Sequence, residues 1–180
     1  MRKLMSCLFI SLDGVVEAPD TFVRPNLYQD FPEIIRDTID EQDTVLLGRK
    51  MYQEWSQFWP DSKIEPFASF INGRPKIVVS RTLRDLTWRH STLLDGELAG
   101  AIADLKARPG KTIGVHGSIG LVQSLLLAGL LDELRLIVCP VIAGHGRRLF
   151  DHQGAALQLD LRQARTTPTG LQYSVYTPRS

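Results

Sequence analysis

Thr112-Ile-Gly-Val-His-Gly-Ser-Ile-Gly-Leu-Val122 decides the fold. Thr112–His116 is a short apolar run bounded by turn residues, the mark of a buried strand, and Ser118–Ala128 has the pattern of a helix that Gly129 closes. The chain therefore passes from strand to helix through Gly117-Ser118 alone. The same unit recurs upstream. Thr44–Leu47 is an apolar run stopping at Gly48, and Arg49–Trp59 follows with Met51, Tyr52, Trp55 and Trp59 at helical spacing until Pro60 breaks it.

Lys3–Ile10 is a further strand, cut off by the turn pair Asp13-Gly14. Asn26 or Asp30 caps a helix whose Phe31, Ile34, Ile35 and Ile39 share one face. After a loop with Pro66, Gly73 and Pro75 comes Lys76–Ser80, β-branched and clearly a strand, then a short strand containing Trp88. Leu98–Lys106 is amphipathic through Leu98, Ile102 and Leu105, and Pro109-Gly110 ends it. Leu134–Ile142 is a longer strand with Pro140 inside, and Leu157–Arg165 with Leu171–Thr177 forms a hairpin around Pro168-Thr-Gly170. Strands separated by helices of this length need crossover connections. The expectation is an α/β fold: a mixed, mainly parallel sheet flanked by helices, closing with an antiparallel hairpin.

Composition narrows the function. The 180 residues carry 21 Lys+Arg against 20 Asp+Glu, a net charge of +1, so the basic surplus of a nucleic-acid binder is missing. At that length one domain, residues 1–180, is expected. No stretch approaches the ~20 apolar residues of a membrane span, and the apolar run near the start is interrupted by Ser6 and Ser11, unlike a signal peptide. Cys7 and Cys139 lie in apolar runs without zinc-site spacing and read as buried free thiols; a cytoplasmic protein with no metal site is the expectation.

In open α/β sheets ligands bind beyond the carboxyl ends of the strands, where helix N-termini present free amides. Three such junctions carry suitable residues: Gly48-Arg49-Lys50, Ser80-Arg81-Thr82 and Gly117-Ser118-Ile119-Gly120. Each offers small residues and a helix start for a phosphate, and two add a guanidinium. The last is not the G-x-G-x-x-G fingerprint, and alone it reads equally as a tight turn with Ser118 as N-cap. Arg49 and Arg81 are ordinary surface arginines unless their strands are neighbours; flanking one crevice, they suit a ribose 2′-phosphate and favour NADP over NAD. The aromatic set Tyr52, Trp55, Phe58 and Trp59 reads as core, and His116 as a packed histidine. His145 and His152 are too far apart for a metal site, and Gly144-His-Gly-Arg-Arg148 reads as a turn before it reads as a phosphate clamp.

Leu46-Leu-Gly-Arg-Lys-Met-Tyr-Gln-Glu-Trp55, Lys76-Ile-Val-Val-Ser-Arg-Thr-Leu83 and Ile113–Val122 resemble successive blocks of the dihydrofolate reductase fold. Ser11-Leu-Asp-Gly14, Gly129-Leu-Leu-Asp-Glu-Leu-Arg135 and Pro140–Phe150 resemble more closely the reductase domain of the riboflavin-pathway deaminase-reductase and its stand-alone bacterial relatives. The resemblance implies a three-layer fold and an NADPH-dependent reductase. The coenzyme phosphates would lie on the amides of Gly48, Arg49, Lys50 and Met51 and of Gly117, Ser118, Ile119, Gly120 and Leu121. Arg49 and Arg81, with Ser80, would take the 2′-phosphate side, and the nicotinamide would lie against Ile10, Ser11 and Gly14. Ser118 stands where dihydrofolate reductases have a second glycine, and neither Asp30 nor Glu33 matches their pterin-binding acid. The implied substrate is the phosphoribosylamino-pyrimidine of riboflavin synthesis. Reduction of a pterin or another small compound, or coenzyme binding without turnover, are the alternatives. A homodimer is common among such relatives. Asp13 is the first choice for substrate contact or proton relay, on the expectation that partial desolvation raises its pKa; a turn aspartate capping the Asp13-Gly14 bend is the competing reading.

Overall fold

The apolar runs become the strands of one sheet in the computed structural model, which describes residues 1–151 and 156–179. In chain order the elements are β1 (Leu4–Ser11), α1 (Phe31–Ile39), β2 (Gln42–Gly48), α2 (Arg49–Phe58), α3 (Phe67–Gly73), β3 (Lys76–Val79), β4 (Ser91–Leu93), α4 (Leu98–Ala107), β5 (Thr112–Val115), α5 (Ile119–Leu127), β6 (Glu133–Cys139), β7 (Leu159–Thr166) and β8 (Gln172–Pro178). The eight described strands lie in the order β4-β3-β2-β5-β1-β6-β8-β7. All pairings from β4 to β6 are parallel, and β8 runs antiparallel to both β6 and β7. The mixed three-layer α/β fold is the expected one.

Alternation along each strand sends side chains to two faces. Leu8, Ile10, Leu46, Ile113 and Val115 meet α4 and α5 through Ile102, Leu105, Val122 and Leu125 on one face. On the other, Val45, Leu47 and Val78 meet Tyr52, Phe70 and Ile71 of α2 and α3. Ile34 of α1 packs there with Ile137, Tyr173 and Val175.

Several element boundaries depart from the sequence pattern. The segment around Pro66 and Gly73 contains the seven-residue helix α3, too short to produce a countable period. Trp88 is in no strand. It is buried in the turn before β4, where its indole Nε1 donates to Asn72 Oδ1 at 2.9 Å and its backbone N donates to the Tyr52 hydroxyl at 3.0 Å. β6 ends at Cys139 because Pro140 has no N–H for the ladder. The helix after Gly48 stops at Phe58, and Trp59–Asp61 tighten into a 3-10 turn at Pro60.

Register leaves a notch at the carboxyl edge. β1 pairs with β5 only through Leu4–Ser6, while Met5–Ser11 pair with β6. β5 stops at Val115, level with Leu46 of β2. Cys7–Ser11 on one side and Leu47-Gly48 on the other therefore overhang the end of β5, and His116-Gly117-Ser118 forms the floor between them.

Candidate active site at the carboxyl edge of the sheet

Because β2, β3 and β5 are parallel and adjacent, Gly48–Met51, Ser80-Arg81 and Gly117–Leu121 all leave the sheet at one rim. The end of β1, with Ile10, Ser11 and Gly14, belongs to that rim too. The two phosphate-type junctions touch: the backbone N of Gly48 donates to Ser118 Oγ at 2.8 Å. Ser118 stands at the N-cap of α5 yet does not cap it, because its hydroxyl oxygen is turned to Gly48 instead. Gly48, the N-cap of α2, has no side chain with which to cap. Two helix N-termini without side-chain caps thus sit side by side, with donors that a phosphate would satisfy.

Close packing explains the small residues. Gly117 has φ +59, and a Cβ there would lie 2.9 Å from Met51 Sδ and 3.0 Å from Trp55 Cζ2. A side chain at this turn would be strained in the backbone and blocked in space. The side chains of Ile119 and Leu121 are buried in the core, as is that of Ile10, so these residues offer backbone to the rim. Gly48 and Val79 are paired, Arg49 comes one residue after the first and Arg81 two after the second, and both are exposed with no carboxylate in salt-bridge range among the described residues. Lys50 is less free, lying 3.9 Å from both Glu17 and Glu54. Among the described residues no helix lies between β3 and β4, contrary to the expectation for the Ser80-Arg81-Thr82 junction; instead Ser80 Oγ accepts from the backbone N of Thr82 and Leu83 and so shapes the turn that carries Arg81.

Sequence reasoning gave too little weight to one feature of this rim, the loop it read first as a turn, and missed a second beneath it. Arg147 Nη2 lies 3.7 Å from where a Cβ of Gly120 would be, which places its guanidinium over the first turn of α5. The Gly144–Arg148 segment is therefore more than a turn; its paired arginines among glycines were the available signal. The second is Gln42. It is buried, its amide donates to Thr38 O at 2.7 Å, and its Oε1 lies 2.8 Å from His116 Nε2. A Cβ at Gly114 would fall 1.8 Å from Gln42 Oε1, so the glycine inside β5 makes room for this pair. Burial pushes His116 down to about 4, which keeps the imidazole neutral directly under the Gly117 turn.

Asp13 reverses its expected titration. Its carboxylate accepts from Ser11 Oγ at 2.7 Å and from the backbone N of Ala143 and Gly144, each at 2.9 Å. Those donors, Ser11 first, hold the carboxyl well below the usual carboxylate range. Asp30 accepts from Thr169, and Glu33 pairs with Arg165 at 3.1 Å, so both acids of the first helical segment turn to the β7–β8 hairpin. Cys7 and Cys139 are free thiols, pushed up to about 11 by burial. No cluster of potential metal ligands exists among the described residues; His152 lies outside them. Nor, among them, is any helix long and apolar enough to cross a membrane.

A depression of about 370 Å³ lies elsewhere. It lies on β6, β7 and β8, lined by Arg135, Arg165 and Tyr173 among others. Its arginines are spent internally, on Glu133, Glu41, Glu33 and Asp37.

The mostly parallel sheet closing with antiparallel strands, flanked by helices, is a dihydrofolate reductase-like fold. The solved structures agree. A riboflavin-biosynthesis candidate from Shewanella sp. PV-4 superposes with a TM-score of 0.78 at 20% identity over 99% of each chain. Dihydrofolate reductase from Enterococcus faecalis, complexed with NADP(H), gives 0.61 at 12% identity, covering 99% of this chain and 97% of that one. Residues 2–173 match the RibD C-terminal domain, and the chain belongs to that family. Among curated proteins, the uncharacterized protein YyaP of Bacillus subtilis (strain 168) is 28% identical over 97% of this chain and 94% of its own length.

Proposed function

We propose that the chain is an NADPH-dependent reductase whose single domain binds the coenzyme across the carboxyl rim and passes hydride to a small substrate. The observation that carries this reading is the contact between Gly48 N and Ser118 Oγ, which brings two uncapped helix starts together. One ligand with adjacent phosphates matches both. The amides of Gly48–Met51 and Gly117–Leu121 bind the pyrophosphate, and Arg147 adds charge at the α5 end. Arg49 and Arg81, beside the Ser80 turn, hold the 2′-phosphate and select NADPH over NADH.

Bound NADPH supplies a hydride from C4 of its nicotinamide. The chain's task is to fix that ring and exclude water. The notch above His116–Ser118 suits this, with the backbone of Ile10 and Ser11 and the turn at Gly14 as one wall. The neutral, buried His116–Gln42 pair holds the floor without presenting a charge beneath the ring.

Membership in the RibD C-terminal domain family favours 5-amino-6-(5-phosphoribosylamino)uracil, the phosphoribosylamino-pyrimidine of riboflavin synthesis, as the substrate model. The inward-facing acid that a pterin would need is not supplied by Asp30 or Glu33, whose partners lie on the hairpin. A homodimer is the assembly in keeping with related reductases. Fluorescence titration tests coenzyme uptake: NADPH saturates the protein and NADH binds far more weakly. Loss of reduced-nicotinamide absorbance on adding the pyrimidine tests the reaction. Binding of NADPH without oxidation by either the pyrimidine or a dihydropteridine would point to a coenzyme-binding module.

A further inference from the structure

Two loops meet at the end of β1. Leu12–Glu17 follows β1, and Val141–Leu149 follows β6. Leu12 N donates to Val141 O at 2.8 Å, Leu149 N to Gly14 O at 3.0 Å, and Val16 N to Arg147 O at 3.0 Å. Asp13 is at the centre of this stitching. Its Oδ1 takes Ser11 Oγ and Ala143 N, and its Oδ2 takes Gly144 N. Arg148 Nε donates to the Asp13 carbonyl at 2.8 Å, and its guanidinium lies 3.7 Å from the carboxylate. The Ser11 hydroxyl, donating to Asp13, also accepts from Val15 N at 2.9 Å, so the turn is closed from within. On the far side, the Gln123 side chain of α5 donates to the carbonyls of Arg148 and Leu149. The stitched loops are thus continuous with the helix whose start belongs to the phosphate site.

A carboxylate with this many donors is committed to the loops. Its proton affinity is too low for it to be the acid of a reduction near neutral pH.

We propose that Asp13 is a positioning residue: with Arg148 it clasps the loops after β1 and β6, fixing the wall against which the coenzyme's ring lies. The inference rests on the dinucleotide reading of the rim and assigns the ring end of that site. Opening the clasp frees Leu12–Glu17 but not the phosphate-binding amides, since none of the clasp's bonds involves Gly48 or Gly117, and Gln123 still ties the segment carrying Arg147 to α5 through the carbonyls of Arg148 and Leu149.

The experiment uses the full chain with two probes: NADPH, and 2′-phospho-ADP-ribose, which lacks the nicotinamide. Asp13→Asn and Arg148→Ala each weaken NADPH about tenfold, the equivalent of one hydrogen bond lost, and move the ring-less probe less than about twofold. The double variant is no weaker than the worse single one, because both open the same clasp. The emission of bound NADPH shifts back towards that of free coenzyme, a signature that loss of stability alone does not produce. Hydrogen exchange provides a second measurement on each variant, with the amides of Ala143 and Gly144 losing protection. Equal weakening of both probes, additive losses in the double variant, or no change would overturn the clasp while leaving the coenzyme site standing. Failure of the wild type to bind either probe would overturn the dinucleotide reading, and the clasp's role with it.

Discussion

The two edges of the sheet treat their charges differently. Around the amino edge three basic groups have carboxylate partners: Arg2 on Asp43, Lys106 at the end of α4 on Asp132 at 2.6 Å, and Arg135 on Glu133 at 2.5 Å and on Glu41. Lys76 is fully buried there, its amine donating to the carbonyls of Ile71 and Arg74 at 2.9 Å each and lying over the Trp88 ring. At the carboxyl edge Arg49, Arg81 and Arg147 have no carboxylate in range among the described residues, and the helix starts beside them lack side-chain caps. Charge that is neutralised internally holds a fold together; charge left uncompensated beside free amides awaits an anion. The difference identifies the working edge independently of the size of any depression.

Breaking the amino edge should cost stability and leave coenzyme affinity alone. Arg135→Met leaves Glu133, which is 7% exposed, with only the exposed Lys3 at 3.4 Å, and should destabilise by about 3 kcal/mol in urea unfolding. NADPH affinity at low denaturant should match the wild type. A loss of affinity in this variant would merge the two edges into one functional unit.

Between the edges stands His116, and acid should act through it. The unfolded imidazole takes its proton near 6.5, while the folded one waits until about 4. In that window the unfolded chain binds more protons, so stability rises with pH through it and is lost on acidification, by at most about 3 kcal/mol. The lowered carboxyls of Asp13 and Asp30 extend the loss at lower pH, since folding favours their charged form where it favours the neutral form of His116. His116→Asn should flatten the pH 4 to 6.5 limb of urea midpoints and leave the more acidic limb in place.

Removing the free charges at the carboxyl edge should do the reverse of removing Arg135. Arg49→Ala with Arg81→Ala should weaken NADPH by about 1.5–3 kcal/mol, leave NADH unchanged, and leave the urea midpoint where it was. Equal losses for both coenzymes would take the 2′-phosphate away from these arginines.

Much of this division was legible in the sequence, for identifiable reasons. The strands could be read because parallel strands buried on both faces are continuous apolar runs, as in Lys76–Val79 and Thr112–Val115. The rim followed, because parallel neighbours must release their following segments on one side. What stayed hidden is contact across long sequence separations. Nothing local says that Ser118 turns to Gly48 instead of capping its own helix, or that Asp13 meets amides 130 residues away. A carboxylate's pKa depends on those donors, which is why desolvation alone gave the wrong direction. Helix α3 escaped because seven residues hold too little period, and Trp88 because an aromatic in a short apolar run looks the same in a strand and in a packed turn.

The finest test concerns one methyl group at the rim. Gly48 has φ −77, an ordinary backbone conformation, and a Cβ there would meet Ser118 Cβ and Oγ at 3.5 Å, normal contact. Gly48→Ala should therefore fold, at a cost of less than about 1 kcal/mol from a poorer N-cap. The same methyl projects beside the amides of α2, where a phosphate has to approach the backbone closely. Coenzyme affinity should fall while the urea midpoint barely moves. If Gly48→Ala binds NADPH as tightly as the wild type, the phosphate does not rest on the α2 start, and the Gly117–Leu121 junction with Arg147 holds it alone.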